Sequence, residues 1–97
     1  MATEHNLAGA LRKARKARGL SQEDFSDVSS RTYLSSLERG LKNPTLDKLA
    51  ELCEVMQVHP VTLLTLAYAG KSPQRAEQLL TQVRQELEAM LKTSDVS

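Results

Sequence analysis

The 97-residue chain holds one cysteine, Cys53, and two histidines, His5 and His59, the side chains that most often carry nucleophilic or metal chemistry. Cys53 stands beside Leu49 and Leu52 at helical spacing, which reads as a small core residue, and neither histidine has a Cys or carboxylate cluster with ligand spacing. A glycine-rich phosphate loop is missing as well. The expectation is no enzyme, no metal and no cofactor, with His59 capping a helix. What remains is cationic. Arg12, Lys13, Arg15, Lys16 and Arg18 crowd one short stretch, and residues 1–42 carry eight Lys or Arg against five acids while residues 43–97 carry five against seven. One end of the molecule could face a polyanion. Cations near a helix C-terminus also suit the macrodipole, so an ordinary solvated face accounts for the same residues.

The elements that must position this charge are helical. Leu occurs sixteen times and Ile never, and Phe25, Tyr33 and Tyr68 are the only aromatics, a bias toward helix over strand. At this length there is room for a single core. The spacing predicts a first helix from Leu7 to Arg18, stopped by Gly19, with Leu7, Leu11 and Ala14 inward. Ser21, three residues before Asp24, approximates a capping box for a short second helix over Gln22–Phe25. A third runs from Arg31 to Arg39 before Gly40, and a fourth follows the cap Thr45 with a broad apolar face from Leu46 to Met56. Pro60 opens a fifth, apolar almost all round to Tyr68, which must be buried in the core or against another chain.

After Gly70, Ser72-Pro73 starts a last helix that runs to Lys92, with Ala76, Leu80, Val83, Leu87 and Met90 spaced as a heptad seam. Such a stripe serves a coiled coil or docking on the chain's own domain equally well. Residues 93–97 are expected to fray. No apolar stretch approaches a membrane span, and Glu4, His5 and Asn6 stand where a signal peptide needs apolar residues, so a cytoplasmic protein without membrane contact is expected.

Four phrases occur in order: Leu11-Arg12-Lys13-Ala14-Arg15, Gly19-Leu20-Ser21-Gln22-Glu23, Leu37-Glu38-Arg39-Gly40 and Asn43-Pro44-Thr45-Leu46. Together they make the chain resemble the phage-repressor-like, Xre/Cro-type helix-turn-helix family over about residues 7–66. The resemblance implies an all-α, five-helix lambda-repressor-like DNA-binding domain over residues 1–70. Residues 71–97 would be a C-terminal helical extension for dimerisation or docking.

The resemblance further implies that the third helix enters the major groove of double-stranded DNA. It places Arg31, Thr32 and Ser36 at base edges, and Gln22, Tyr33, Ser35, Lys42 and Asn43 at backbone phosphates. Arg15 and Glu38 match a partly buried ion pair joining the first and third helices. Two departures stand out. Gln22 and Glu38 are sixteen positions apart, two fewer than usual in the family, and the customary turn glycine is replaced by Val28 or Ser29. Gln57 also stands where a glycine is frequent.

These residues predict a sequence-specific transcriptional regulator of bacterial or phage type, a homodimeric repressor on an inverted-repeat operator. Leu66, Ala76, Leu80, Val83, Leu87 and Met90 are the candidate dimer surface. The same domain also suits an antitoxin that binds a protein toxin and regulates its own operon, or a restriction–modification controller, and fold-level resemblance does not choose among these roles.

Overall fold

The computed structural model describes residues 4–92, and the expectation for residues 93–97 falls outside them. Five α-helices follow one another: α1 (Leu7–Ala17), α2 (Arg31–Glu38), α3 (Leu46–Met56), α4 (Pro60–Ala69) and α5 (Pro73–Lys92). The expected second helix is a single 3-10 turn, Gln22–Phe25, lying between α1 and α2. The shortened segment leaves room for only that turn, whose sole buried residue is Phe25.

Each start and stop has a local cause. Asn6 caps α1 by accepting from Gly9 N at 2.8 Å, and Ser30 and Thr45 cap α2 and α3 through their hydroxyls. His59 caps α4, its Nδ1 accepting from Val61 N at 3.0 Å, with Pro60 at the first helical position. At the far ends of α1 and α2, Gly19 and Gly40 take φ of 70° and 74°. Their amides and those of Leu20 and Leu41 then return to the last helical carbonyls in Schellman fashion. Gln57 adopts the same left-handed conformation after α3, at φ 60°, although it carries a side chain. Arg18 Nη2 donates to its carbonyl at 3.2 Å, tying the end of α1 to the end of α3.

Leu11, Phe25, Leu34, Leu52, Cys53, Met56 and Leu63 are fully buried and draw on every element up to α4. Burial pushes the Cys53 thiol pKa up, in keeping with an inert core residue. α2 packs on α1 and the 3-10 turn, and α4 is wedged among α1, α3 and α5. Even so, Val61 and Tyr68 of α4 stay about half exposed, so this apolar helix is not wholly covered. α5 rests on α4 and has no buried residue, and its seam positions Leu80, Val83, Leu87 and Met90 are all exposed.

A left-handed non-glycine residue costs about 1–2 kcal/mol, part of which glycine returns as unfolded-state entropy. Gln57→Gly should therefore raise stability by about 0.5–1 kcal/mol, read as a higher denaturant midpoint with unchanged slope.

Candidate nucleic-acid interface

The surface begins with a buried ion pair. Arg15 projects from α1 toward α2, where its Nε donates to Glu38 Oε2 at 2.7 Å and its Nη2 to Glu38 Oε1 at 2.9 Å. The remaining guanidinium nitrogen, Nη1, donates to Leu20 O at 2.8 Å, and Gln22 Nε2 donates to Glu38 Oε1 at 3.2 Å. Only 10% of the Arg15 side chain and 4% of the Glu38 side chain is exposed. One carboxylate thus gathers α1, the 3-10 turn and the last turn of α2. Burial alone would push the Glu38 carboxyl up, but hydrogen bonds from Arg15 and Gln22, with the charges of Arg15 and Arg12, outweigh it and hold its pKa below the ordinary value. The hydrogen bond to Glu38 leads the opposite shift, upward, in Arg15.

With its C-terminal end held this way, α2 buries Leu34, Ser36 and Leu37 and turns the opposite face outward. Arg31 and Thr32 are exposed there, and together with Ser35, Arg39 and Gln22 they line a shallow open depression. At about 100° per residue Arg31, Thr32 and Ser35 of α2 and Arg39 at its C-cap fall within one arc, and Ser36 lies beyond its inward edge. Ser36, expected at base edges, is only 9% exposed, because the packing of α2 on the core draws it toward the interior. Ser35 instead shares the depression with Arg31. Arg39, which the sequence marks only as the helix end, stands about two turns from Arg31 on the same face.

Around this face, Tyr33 is half-buried, packs against the core, and has Lys42 Nζ 5.6 Å from its ring centroid. Lys42 and Asn43 are exposed in the following loop and line a second crevice with His5, Asn6 and Gly40. Among the described residues, Arg31, Arg39 and Lys42 take part in no ion pair. The basic stretch of α1 is divided. Arg15 is buried in the ion pair, and Arg12, Lys13 and Lys16 border a trough shared with Leu66, Gly70 and Lys71 at the α4–α5 junction. That trough continues past Ala76 to Leu80. No group of His, Cys, Asp and Glu among the described residues could hold a metal, and no helix there is long and apolar enough to cross a membrane.

A short helix presented outward beside a tight turn, with uncompensated cations around it, is the arrangement of a helix-turn-helix DNA-binding protein. The profile of the helix-turn-helix family matches residues 11–63, and the chain belongs to that family of DNA-binding regulators. It is 46% identical over 55 residues to an uncharacterized HTH-type transcriptional regulator, y4dJ, of Sinorhizobium fredii, covering 55% of this chain and 71% of that protein. It is 37% identical over 75 residues to the transcriptional regulator ClgR of Mycobacterium tuberculosis, covering 75% of this chain and 65% of ClgR, slightly under two thirds of it.

Among solved structures, the restriction-modification controller protein C.AhdI of Aeromonas hydrophila matches with a TM-score of 0.56 and 32% identity, over 59% of this chain and 89% of that one. The clp gene regulator ClgR of Corynebacterium glutamicum matches with a TM-score of 0.58 and 25% identity, over 94% of this chain and 92% of that one. A match of that extent necessarily reaches into α5, which the resemblance read from the sequence left without a counterpart.

Arg15→Ala should destabilise the domain by about 3–5 kcal/mol, because it strands the Glu38 carboxylate; a thermal melt unchanged from wild type would overturn the structural role. The pair also sets an acid limb. Glu38 titrates lower when folded than when unfolded, so its contribution is complete above the unfolded carboxylate pKa of about 4.3 and is lost as pH falls through the folded value. Glu38→Gln should flatten stability against pH in that acidic window.

Proposed function

We propose that this protein is a sequence-specific transcriptional regulator that binds an inverted-repeat operator as a homodimer and represses from it. The observation that carries the reading is the outward face of α2, where Arg31, Thr32, Ser35 and Arg39 stand together without intramolecular ion pairs. Arg31 in the first turn of α2 is the principal base-reading residue, since a guanidinium can hold guanine O6 and N7 bidentately, and Thr32 beside it offers a hydroxyl and a methyl. Gln22, Tyr33, Lys42 and Asn43 act on phosphates and set the register. Gln22 spends one of its amide hydrogens on Glu38 and keeps the other for the backbone of the duplex.

Dimerisation rests on two features. One helix of eight residues offers few base contacts, and a second, tethered copy adds its contacts without a second full association cost. Residues 71–97 serve as the dimerisation extension: Leu80, Val83, Leu87 and Met90 of α5 form an apolar row left open to solvent, continuous at Ala76 and Leu80 with the trough that includes Leu66. Twofold symmetry would set the two α2 helices one helical turn of DNA apart, about 34 Å.

Selection from a random duplex pool tests symmetry and half-site spacing together. Arg31→Ala should cost about 1–3 kcal/mol and relax preference at one base pair, whereas Lys42→Ala should weaken all sequences alike and reduce the salt slope by about one phosphate's worth. Equal loss at every base for Arg31→Ala would make it a phosphate contact. In sedimentation, the wild-type chain should be dimeric at micromolar concentration and Leu87→Glu monomeric; a wild-type monomer both with and without operator would end the dimer reading.

A further inference from the structure

α2 is held at its C-terminal end by Glu38, but Arg31 and Thr32 stand at its other end, and what orients that end is a separate question of the structure. The preceding segment, residues 26–30, contains no glycine and forms no helix. Its internal hydrogen bonds are local: Val28 N and Ser29 N both donate to Phe25 O, and Ser30 caps α2 through Tyr33 N. A single side chain from another element hydrogen-bonds to this segment among the described residues. Lys48, twenty residues away in the first turn of α3, donates from Nζ to Val28 O at 2.5 Å.

The placement of Lys48 is locally unfavourable, which makes its tertiary contact informative. A cation in the first turn of a helix opposes the macrodipole. Here the side chain is partly buried, 29% exposed, and its ammonium is balanced by Glu51 Oε1 at 2.9 Å, one turn further along α3. Its own amide is fixed to Thr45 Oγ1, so the base of the side chain belongs to the cap of α3. The Val28 carbonyl it grips lies two residues before the cap of α2, while the Val28 side chain packs against the core.

We propose that Lys48 is a positioning residue for base recognition: its charged hydrogen bond to Val28 O fixes the direction in which the chain enters α2, and with it the placement of Arg31 and Thr32. α2 is thereby pinned at both ends, by Lys48 through Val28 at the start and by Arg15 through Glu38 at the finish. Bidentate base contacts tolerate little misplacement, whereas phosphate contacts tolerate more. Loosening the start of α2 therefore falls on discrimination before it falls on general affinity. This inference rests on the reading of α2 as the base-reading helix.

The test compares wild type, Lys48→Met, which keeps the stem and loses the donor, and Lys48→Arg, which keeps a charged donor. Affinity is measured at one salt concentration for a duplex selected from a random pool and for an unrelated duplex of equal length. Amide hydrogen exchange is followed on the free proteins. Lys48→Met should lose at least about tenfold in affinity for the selected duplex, the scale of a lost charged hydrogen bond, with a much smaller change on the unrelated duplex. It should speed exchange at Val28, Ser29 and Tyr33 over the rest of the chain, and Lys48→Arg should recover most of both. Equal loss on the two duplexes, or no loss, overturns the proposal. If wild type itself does not discriminate, the reading of α2 fails and exchange alone judges Lys48: acceleration confined to residues 28–34 sustains the anchor, and uniform or absent acceleration overturns it.

Discussion

The two-pronged bond between Arg15 and Glu38 is the constraint on which the rest of the molecule turns. It is almost fully withdrawn from water, and it is joined by two further hydrogen bonds, from Arg15 Nη1 to Leu20 O and from Gln22 Nε2 to Glu38 Oε1. A buried pair of this kind is weak evidence for stability in itself, because desolvation offsets much of the attraction. Its value here is geometric. The planar fork of the guanidinium accepts one orientation of the carboxylate, so the distance and tilt between α1 and α2 follow from it. Gln22 ties the 3-10 turn to the same carboxylate, and the exposed face of α2 is therefore set by a contact on its hidden side.

Charge in this protein is sorted by that arrangement. The sequence concentrates cations in α1, yet the groups nearest the outward face of α2 are Arg31, Arg39 and Lys42. Arg15 is consumed in the core of the ion pair, Arg18 binds the Gln57 carbonyl, and Lys13 and Lys16 border the trough at the α4–α5 junction with Lys71. The cations thus form two separate surfaces in space, and the basic stretch of α1 contributes to the trough rather than to the outward face of α2. The near-zero net charge of the whole chain, +1, conceals both.

α5 stands apart from this economy. It extends the fold beyond the core built by the first four helices, resting on α4 while its apolar row remains uncovered. Helical spacing shows that such a row exists but is silent on whether it turns inward or outward, since the same period serves both. The structure leaves it outward among the described residues. That fact gives the row its place in the proposed assembly.

Helix boundaries were legible because their causes are local. Asn6, Ser30, Thr45 and His59 cap through atoms within three residues, and Gly19 and Gly40 take the positive φ that their type allows. The inward positions Leu49, Leu52, Cys53 and Met56 of α3 followed from sequence on the same ground, although Leu46, expected on that face, is 73% exposed. Elsewhere local rules were weaker: in the compressed segment the expected second helix shrank to a 3-10 turn, and after α3 Gln57 took a left-handed conformation that its side chain disfavours. The exposure of Arg39 and the burial of Ser36 were not legible for another reason, since the side of α2 that faces outward depends on what lies beneath it. Residue types and spacings by themselves determined an all-helical, cation-bearing chain with a helix-turn-helix order. Only tertiary packing decided which arc of α2 is free, that Lys48 reaches the turn before it, and that α5 keeps its apolar side open, because each depends on contacts between residues far apart along the chain.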